Sequence, residues 1–162
     1  MRSLMSVAPG GPDTLQLLDV PVPEPGAGEV RLAVRACAIN YPDTLVIEDK
    51  YQIRPPRPFA PGHEVAGVVE ALGPGVTFPA VGMPVIASAQ HGGLAEKLIA
   101  RAAHCTPLPE GVSFEVGASL LVTYGTSYHA LADRARLRAG ETLLVLGAAG
   151  GVGIAAIELG KA

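Results

Sequence analysis

Residues 142–162 read TLLVLGAAGGVGIAAIELGKA, in which an apolar run enters a glycine-rich turn and an alanine-rich stretch with helical spacing follows. Glycines at such a turn let the chain bend tightly, let backbone N–H groups approach a pyrophosphate, and let the helix pack closely on the strand. The N-terminus of the helix also favours negative charge. The stretch therefore predicts a strand at 142–146, then a turn and a helix that bind a dinucleotide. The predicted cofactor-binding residues of this turn are Gly147, Ala148, Ala149, Gly150, Gly151, Val152 and Gly153.

This strand, turn and helix are only the beginning of a dinucleotide-binding domain. Residues 141–162 are fewer than the roughly 30 that one complete βαβ unit needs, and such a domain contains several units. We therefore expect either that the chain is the N-terminal part of something longer or that a partner completes it. The acidic residue that distinguishes NAD from NADP lies about 20 positions beyond the turn, past Ala162, so both NADPH and NADH stay open.

The prolines divide the chain into two parts. All 15 lie at or before Pro109, and a proline-free remainder is typical of helices and of central parallel strands. Before Pro109, short stretches of alternating apolar and polar residues are separated by turn residues, which predicts a compact β-barrel or sandwich. The predicted strands are 15–22, 29–40, 64–72 and 85–89, with a short helix over 42–49 and, after Pro109, helical spacing over 113–132.

The composition is that of a globular chain. The 162 residues are 49% hydrophobic and 17% charged, with a net charge of −3, which suffices for one domain with a core and a fragment of another. No basic block would attract nucleic acid or an anionic membrane, no apolar run approaches the length of a membrane span, and no signal-peptide pattern is present. We expect a cytoplasmic protein whose two cysteines, Cys37 and Cys105, are reduced thiols, since they form no CxxC pair.

Several motifs occur in order along the whole chain. They are PVPEPGAGEVRLAVRACAINYPDT, PGHEVAGVVEALGPGV, GGLAEKLIA, LPEGVSFEVGASLLVTYGTSYHAL and AGETLLVLGAAGGVGIAAIELGKA. With these motifs the chain resembles the N-terminal portion of the medium-chain dehydrogenase/reductase superfamily, and more closely its zinc-independent quinone oxidoreductase branch. The resemblance implies a mostly β GroES-like barrel with the substrate site, at 1–125, and the first βα unit of an α/β Rossmann domain, at 126–162. It also implies a homodimer in the full-length form.

The segment PGHEVAGVVEALGPGV also satisfies the signature of zinc alcohol dehydrogenases, in which a histidine at the position of His63 ligates catalytic zinc. A catalytic zinc needs three protein ligands and an open position. Where those enzymes have cysteines this chain has Asn40 and Val122, and neither side chain replaces a thiolate. Cys37 lies three residues from Asn40 and so on the opposite face of a strand. We predict no metal site and interpret His63 as a hydrogen-bonded histidine at a turn, with Glu64 as a local hydrogen-bond partner.

The resemblance implies that the cleft for substrate and nicotinamide is lined by Asn40, Asp43 and Tyr51, and that Thr126 lies near the nicotinamide amide. Tyr51 falls where related enoyl-thioester reductases carry a tyrosine proton donor, and a phenol can donate to a developing enolate or hydroquinone oxygen. From the residues alone, Tyr51 could be a packing residue and Asp43 a helix-start residue. Leu45 stands where the family usually has a second aromatic side chain. The other histidines, interpreted as ordinary surface or core residues, are His91, His104 and His129.

The expected lack of zinc restricts the chemistry. Hydride addition to a simple ketone builds charge on one oxygen and needs a Lewis acid or a strong donor, whereas quinones and enones delocalise that charge. The sequence therefore predicts an NAD(P)H-dependent oxidoreductase that transfers hydride from nicotinamide to a quinone or an α,β-unsaturated carbonyl without zinc. The alternatives are a zinc-dependent alcohol dehydrogenase and a non-catalytic or truncated NADPH-binding protein. The expected partners are the small-molecule substrate and a second copy of the chain, with no nucleic acid and no membrane.

Overall fold

The computed structural model describes residues 1–162, which divide into two compact units, Met1–Ala118 and Ser119–Ala162. The division falls between residues 118 and 119, whereas the motifs suggested a division between 125 and 126. The difference arises because the helix Thr123–Tyr128, which spans the expected division, packs against the helix Gly151–Lys161 of the second unit.

The first unit is mostly β, as the sequence predicted. Its strands are β1 (Arg2–Ser6), β2 (Leu15–Asp19), β3 (Glu29–Ala38), β4 (Glu64–Leu72), β5 (Pro84–Ser88), β6 (Lys97–Arg101) and β7 (Cys105–Pro107). A five-stranded antiparallel sheet has the order β6-β3-β4-β5-β7, and β1 pairs with β2 in a separate antiparallel sheet. Its helices are α1 (Tyr41–Ile47) and α2 (Phe114–Ala118), with single turns of 3-10 helix at Pro12–Thr14 and Ala102–His104.

The core of this unit follows from the alternation of side chains along its strands. Val30 and Leu32 of β3 are fully buried, while Arg35 between the apolar positions is exposed. Removing each such aliphatic side chain from water contributes roughly 1.5–3 kcal/mol to folding. The buried cluster consists of Val30, Leu32, Val65, Val69, Val85, Ala87, Leu98, Ala100 and Cys105.

The pairing of β3 with β4 brings the end of β3 beside the start of β4, where the candidate site lies. Ala38, the last residue of β3, lies opposite Glu64, the first residue of β4. The sequence predicted that the first of these strands runs to residue 40, but it ends at Ala38 because the next residues turn into helix α1, whose first turn contains Pro42. The start of α1 therefore lies beside the start of β4.

The second unit is helical. Its elements are α3 (Thr123–Tyr128), a π-helical turn at His129–Ala135, and α4 (Gly151–Lys161). The helix predicted after the glycine turn is confirmed as α4. The helical spacing predicted over 113–132 corresponds to no continuous helix but to α2 in the first unit and, in the second, to α3 and the π-helical turn that follows it. None of the helices combines the length and the apolar character that a membrane crossing requires.

The strand predicted at 142–146 is not formed. These residues pair with no strand, and the second unit contains no other strand to pair with. Leu144 and Leu146 are consequently 82% and 86% exposed. A β-strand is held by ladder hydrogen bonds to a neighbour, so an apolar run with strand propensity does not become one alone.

Candidate active site

The turn between β3 and α1 holds a buried carboxylate in place. Asp43 lies in the first turn of α1 and is only 7% exposed. The backbone N–H of Asn40, just before the helix, donates a hydrogen bond of 2.8 Å to Oδ2 of Asp43. An acidic side chain three residues into a helix that binds back to the preceding backbone is a helix-capping arrangement, as the residue type predicted. In this structure the same side chain has further partners.

The other oxygen of Asp43 binds two groups from a distant segment. Oδ1 accepts a hydrogen bond of 3.1 Å from the backbone N–H of Gly62 and lies 2.9 Å from Nδ1 of His63. Gly62 has a φ of +90°, and a Cβ there would lie 2.7 Å from the Cys37 sulfur and 3.0 Å from the backbone nitrogen of Leu94. Only glycine fits, because any side chain would be strained and would meet atoms on both sides.

The pair of Asp43 and His63 is electrostatically coupled. Burial would by itself raise the pKa of Asp43, but the hydrogen bonds from His63, Asn40 and Gly62 outweigh it, so the pKa lies below the ordinary value. The hydrogen bond to Asp43 raises the pKa of His63 above its ordinary value, against the opposing effect of burial, and the charges of Asp43 and Glu64 act in the same direction. Each partner thus favours the charged form of the other.

A second buried carboxylate completes this polar cluster. Glu64 is 1% exposed and accepts a hydrogen bond of 3.0 Å from the side-chain amide of Asn40. Asn40 thus connects, through its backbone and its side chain, the two carboxylates that flank His63. Burial, with the charges of Asp43 and Glu64, raises the pKa of the nearby Cys37 thiol to about 12, so this cysteine is not a thiolate at neutral pH.

His63 and Tyr51 line one cavity of about 290 Å³ in the first unit. Its walls are Pro42, Val46, Tyr51, Ile53, His63, Ser88, Ala89, Gln90 and His104. Tyr51 also packs against an apolar cluster that contains Val46 and Phe59, so this side chain both packs in the core and lines the cavity. The cavity is a mainly apolar space with a few polar groups, which is typical of a small-molecule site.

The structure separates the predicted site residues into lining and supporting ones. Tyr51 faces the cavity, whereas Asn40 and Asp43 are not among its walls and instead support His63. His104, interpreted from the sequence as an ordinary residue, lines the cavity with His63. No sequence signal pointed to it, because it lies on a 3-10 turn that only the tertiary fold brings to this wall. No group of three or more His, Cys, Asp and Glu side chains is arranged to hold a metal ion.

In the second unit, the glycine turn has the shape that close approach to a ligand requires. Gly147 has a φ of +69°, and its carbonyl oxygen accepts a hydrogen bond of 3.1 Å from the N–H of Gly150. A Cβ on Gly153 would lie 2.4 Å from that same carbonyl oxygen, so the turn folds back on the first turn of α4 only because residue 153 is glycine. Residues 147–152 are exposed.

The start of α4 is held by α3, which carries the predicted residue Thr126. Ser127 of α3 is buried, and its hydroxyl donates a hydrogen bond of 2.8 Å to the carbonyl oxygen of Val152. Tyr124 binds Glu158 through its hydroxyl, and a Cβ on Gly151 would lie 2.9 Å from the Thr123 side chain. The exposed N-terminus of α4, where the first N–H groups of a helix have no partner within the helix, fits a pyrophosphate by its shape and by its positive potential.

Comparison with known proteins places this geometry in a family. Residues 26–110 match the model of the alcohol dehydrogenase GroES-like domain. The chain is 40% identical to rat quinone oxidoreductase over 164 residues, which is all of this chain and 50% of the relative. It is 41% identical to the rat synaptic vesicle membrane protein VAT-1 homolog, covering 98% of this chain and 40% of that protein. The chain spans about half the length of the curated quinone oxidoreductases it matches.

Solved structures agree with the sequence comparison. The quinone oxidoreductase from Thermus thermophilus, determined also in complex with NADPH, superposes with a TM-score of 0.86 at 39% identity and covers 99% of this chain and 50% of that one. A human VAT-1 homolog-like protein gives a TM-score of 0.94 at 34% identity, covering 98% of this chain and 52% of that one. The chain belongs to the alcohol dehydrogenase GroES-like domain family, and it corresponds to the N-terminal portion of quinone oxidoreductases of the medium-chain dehydrogenase/reductase superfamily.

Proposed function

We propose that the protein is an NADPH-dependent oxidoreductase that reduces a quinone or an α,β-unsaturated carbonyl without zinc. The observation that carries this proposal is one largely apolar cavity whose wall includes the hydrogen-bonding side chains of Tyr51 and His63, in a chain similar to quinone oxidoreductases. An apolar space suits a flat conjugated substrate, and the donors suit the oxygen on which charge develops.

We propose that residues 126–162 correspond to the first βα unit of a Rossmann domain, although residues 142–146 form no strand in this structure. The support is the glycine turn and the exposed N-terminus of α4, where residues 147–153 would hold the cofactor pyrophosphate. The relative from Thermus thermophilus was determined with NADPH, which favours that cofactor over NADH for this chain. We place Thr126 near the nicotinamide amide, because α3 packs against α4 and Ser127 fixes the first turn of that helix. A bound nicotinamide supplies the hydride.

The residues of the first unit have distinct roles in this proposal. Tyr51 donates a hydrogen bond to the substrate oxygen and stabilises the charge that develops there. Asn40 and Asp43 do not touch the substrate but position His63, through the contacts of Asp43 with its ring and of Asn40 with Glu64. The conjugated system of the substrate spreads the incoming electron pair, so neutral and singly charged donors suffice.

The donor set at His63 favours a reaction without zinc. The Asn40 amide is no thiolate, and no group of three or more His, Cys, Asp and Glu side chains is arranged around His63 to hold a metal ion. Elemental analysis of the purified protein tests this point: stoichiometric zinc that is lost in His63→Gln would favour the alternative, a zinc-dependent alcohol dehydrogenase.

The proposed activity is tested on the complete protein as its gene encodes it, after intact-mass measurement has established its length. Metal-free protein is mixed with NADPH and a panel of p-quinones, enones and simple ketones, and loss of the reduced-nicotinamide absorbance is followed. We expect turnover with quinones or enones and none with simple ketones. Binding of NADPH without any turnover would instead support the non-catalytic alternative. Sedimentation of the same sample tests the proposed homodimer.

A further inference from the structure

We infer that His63, oriented by Asp43, is a catalytic proton donor to the substrate oxygen in the cavity, acting beside Tyr51. The inference deepens the proposed function and rests on it, because a proton is needed only if a quinone or an enone is reduced there. Neither the match to the GroES-like domain nor the similarity to quinone oxidoreductases assigns this role to His63.

The geometry leaves one ring nitrogen of His63 for the substrate. Nδ1 is held 2.9 Å from Oδ1 of Asp43, so Nε2 is the nitrogen left to meet a ligand in the cavity that His63 lines. Asp43 cannot rotate freely, since the backbone N–H groups of Asn40 and Gly62 bind both of its oxygens. A carboxylate held in this way fixes the orientation of the ring and stabilises the imidazolium.

The charged surroundings of His63 favour its protonated form. Asp43 of α1 and Glu64 of β4 are the acidic groups that act on it, and both attract the positive charge. The other titratable groups nearby are the protonated Cys37 thiol of β3 and, around the cavity, Tyr51 and His104. The pKa of His63 is accordingly raised above its ordinary value, by the hydrogen bond to Asp43 first. An imidazolium is a far stronger acid than a phenol of pKa about 10.

The proton transfer balances without a further reagent. Reduction of the quinone by a hydride adds one hydrogen nucleus and two electrons and leaves one substrate oxygen negatively charged. A lone pair of that oxygen takes the proton from Nε2 of His63, so an O–H bond forms and an N–H bond breaks. The electron pair stays on nitrogen and gives the neutral imidazole, which regains a proton from water. The products are the hydroquinone and the oxidised nicotinamide, with His63 restored.

The same chain contains a matched control. His129 and Asp133 form a pair of the same geometry, with 2.8 Å between Nδ1 and Oδ2. Their side chains are 64% and 59% exposed, and neither of them lines a cavity of the first unit. His129→Gln therefore removes an equivalent histidine–carboxylate pair without touching the proposed site.

The experiment measures kcat/KM for a p-quinone with NADPH against pH in four forms of the complete protein: unsubstituted, His63→Gln, Tyr51→Phe and His129→Gln. In the unsubstituted protein we expect kcat/KM to fall as pH rises through the pKa of His63. His63→Gln should lower kcat/KM by about a hundredfold at low pH and abolish this pH dependence. Tyr51→Phe should lower the rate at every pH and keep the dependence, and His129→Gln should match the unsubstituted protein.

A measurement on the unsubstituted protein keeps the test independent of the folding of any variant. The His63 ring resonance is followed by NMR while a p-hydroquinone product is added, and it should shift while that of His129 does not. If quinone reduction proceeds but His63→Gln retains the rate and the pH profile, or if the His63 resonance is unmoved at saturation, the role of His63 is overturned and the proposed function stands. If no quinone or enone is reduced at all, both proposals fail.

Discussion

Asp43→Asn is the substitution that tests the buried cluster most directly. Asparagine has the shape of aspartate but one acceptor oxygen and one NH2 group in place of two acceptors. In the structure, Oδ2 accepts from the N–H of Asn40, while Oδ1 accepts from the N–H of Gly62 and contacts His63. Whichever way the amide is turned, a donor will face a donor at one of these contacts.

The size of the effect follows from these contacts. One buried donor left unpaired costs about 1–3 kcal/mol, and replacing a charged acceptor by a neutral one at His63 costs about 1 kcal/mol more. Asp43 is 7% exposed, so water cannot compensate fully. We therefore expect the free energy of unfolding to fall by about 2–4 kcal/mol, a large part of the roughly 5–15 kcal/mol that a domain has.

The loss should depend on pH in a defined direction. Folding lowers the pKa of Asp43. Its contribution to the free energy of unfolding is therefore present above the ordinary pKa of a carboxyl group and disappears as pH falls through the lowered pKa. Folding raises the pKa of His63. Its contribution to the free energy of unfolding is therefore complete below the ordinary pKa of histidine and disappears as pH rises through the raised pKa. The free energies of unfolding of the unsubstituted protein and of Asp43→Asn should therefore differ most at weakly acidic pH, where Asp43 is ionised and His63 is protonated.

Urea unfolding followed by far-UV circular dichroism measures the free energy of unfolding of both proteins at about pH 5.5 and about pH 9. Asp19→Asn is the control, because Asp19 is exposed and should change stability by less than about 0.5 kcal/mol. A change of that small size for Asp43→Asn at the lower pH would refute the assignment of Asp43 as the residue that organises the cluster. A large change that does not diminish at the higher pH would refute the coupling to His63.

Three further substitutions or reactions probe other parts of the chain. Gly153→Ala puts a Cβ 2.4 Å from the Gly147 carbonyl oxygen, so NADPH affinity measured by fluorescence titration should fall about tenfold or more, and unchanged affinity would contradict the proposed cradle. Gly67→Ala puts a Cβ 2.3 Å from the Ala33 carbonyl oxygen across β3 and β4, and urea unfolding should show a loss of about 1–3 kcal/mol. The Cys37 thiol, whose pKa is about 12, should react with an aromatic disulfide at mildly alkaline pH more than a hundredfold more slowly in the folded than in the unfolded chain; equal rates would contradict its burial.

Features that depend on local sequence could be predicted closely. Helix α4 and the turn at Gly147 follow from the order of apolar residues, glycines and alanines, and β4 begins and ends where the alternation does. The helix near Pro42 was predicted because proline and aspartate both favour a first turn. Such signals lie within a few residues of one another, so no knowledge of the rest of the fold is needed to interpret them.

Features that depend on a neighbour could not be predicted in the same way. The apolar run at 142–146 has the composition of a strand, yet it is unpaired, because a strand exists only through hydrogen bonds to another. The helical pattern over 113–132 was divided between two units for a similar reason, since packing partners decide where a helix stops. His104 reached the cavity wall with no sequence signal of its own.

By itself, then, the sequence determined a mostly β unit, a glycine turn before a helix and a family resemblance that covers the whole chain. Tertiary structure decided which polar residues form the site. The register that places Ala38 opposite Glu64 brings the first turn of α1 against the segment before β4, and so joins Asp43 to His63, 20 residues away along the chain. The alternation along each strand sets which of its faces is buried, but which distant strand it pairs with, and so which residues lie opposite one another, is decided only when the sheet forms.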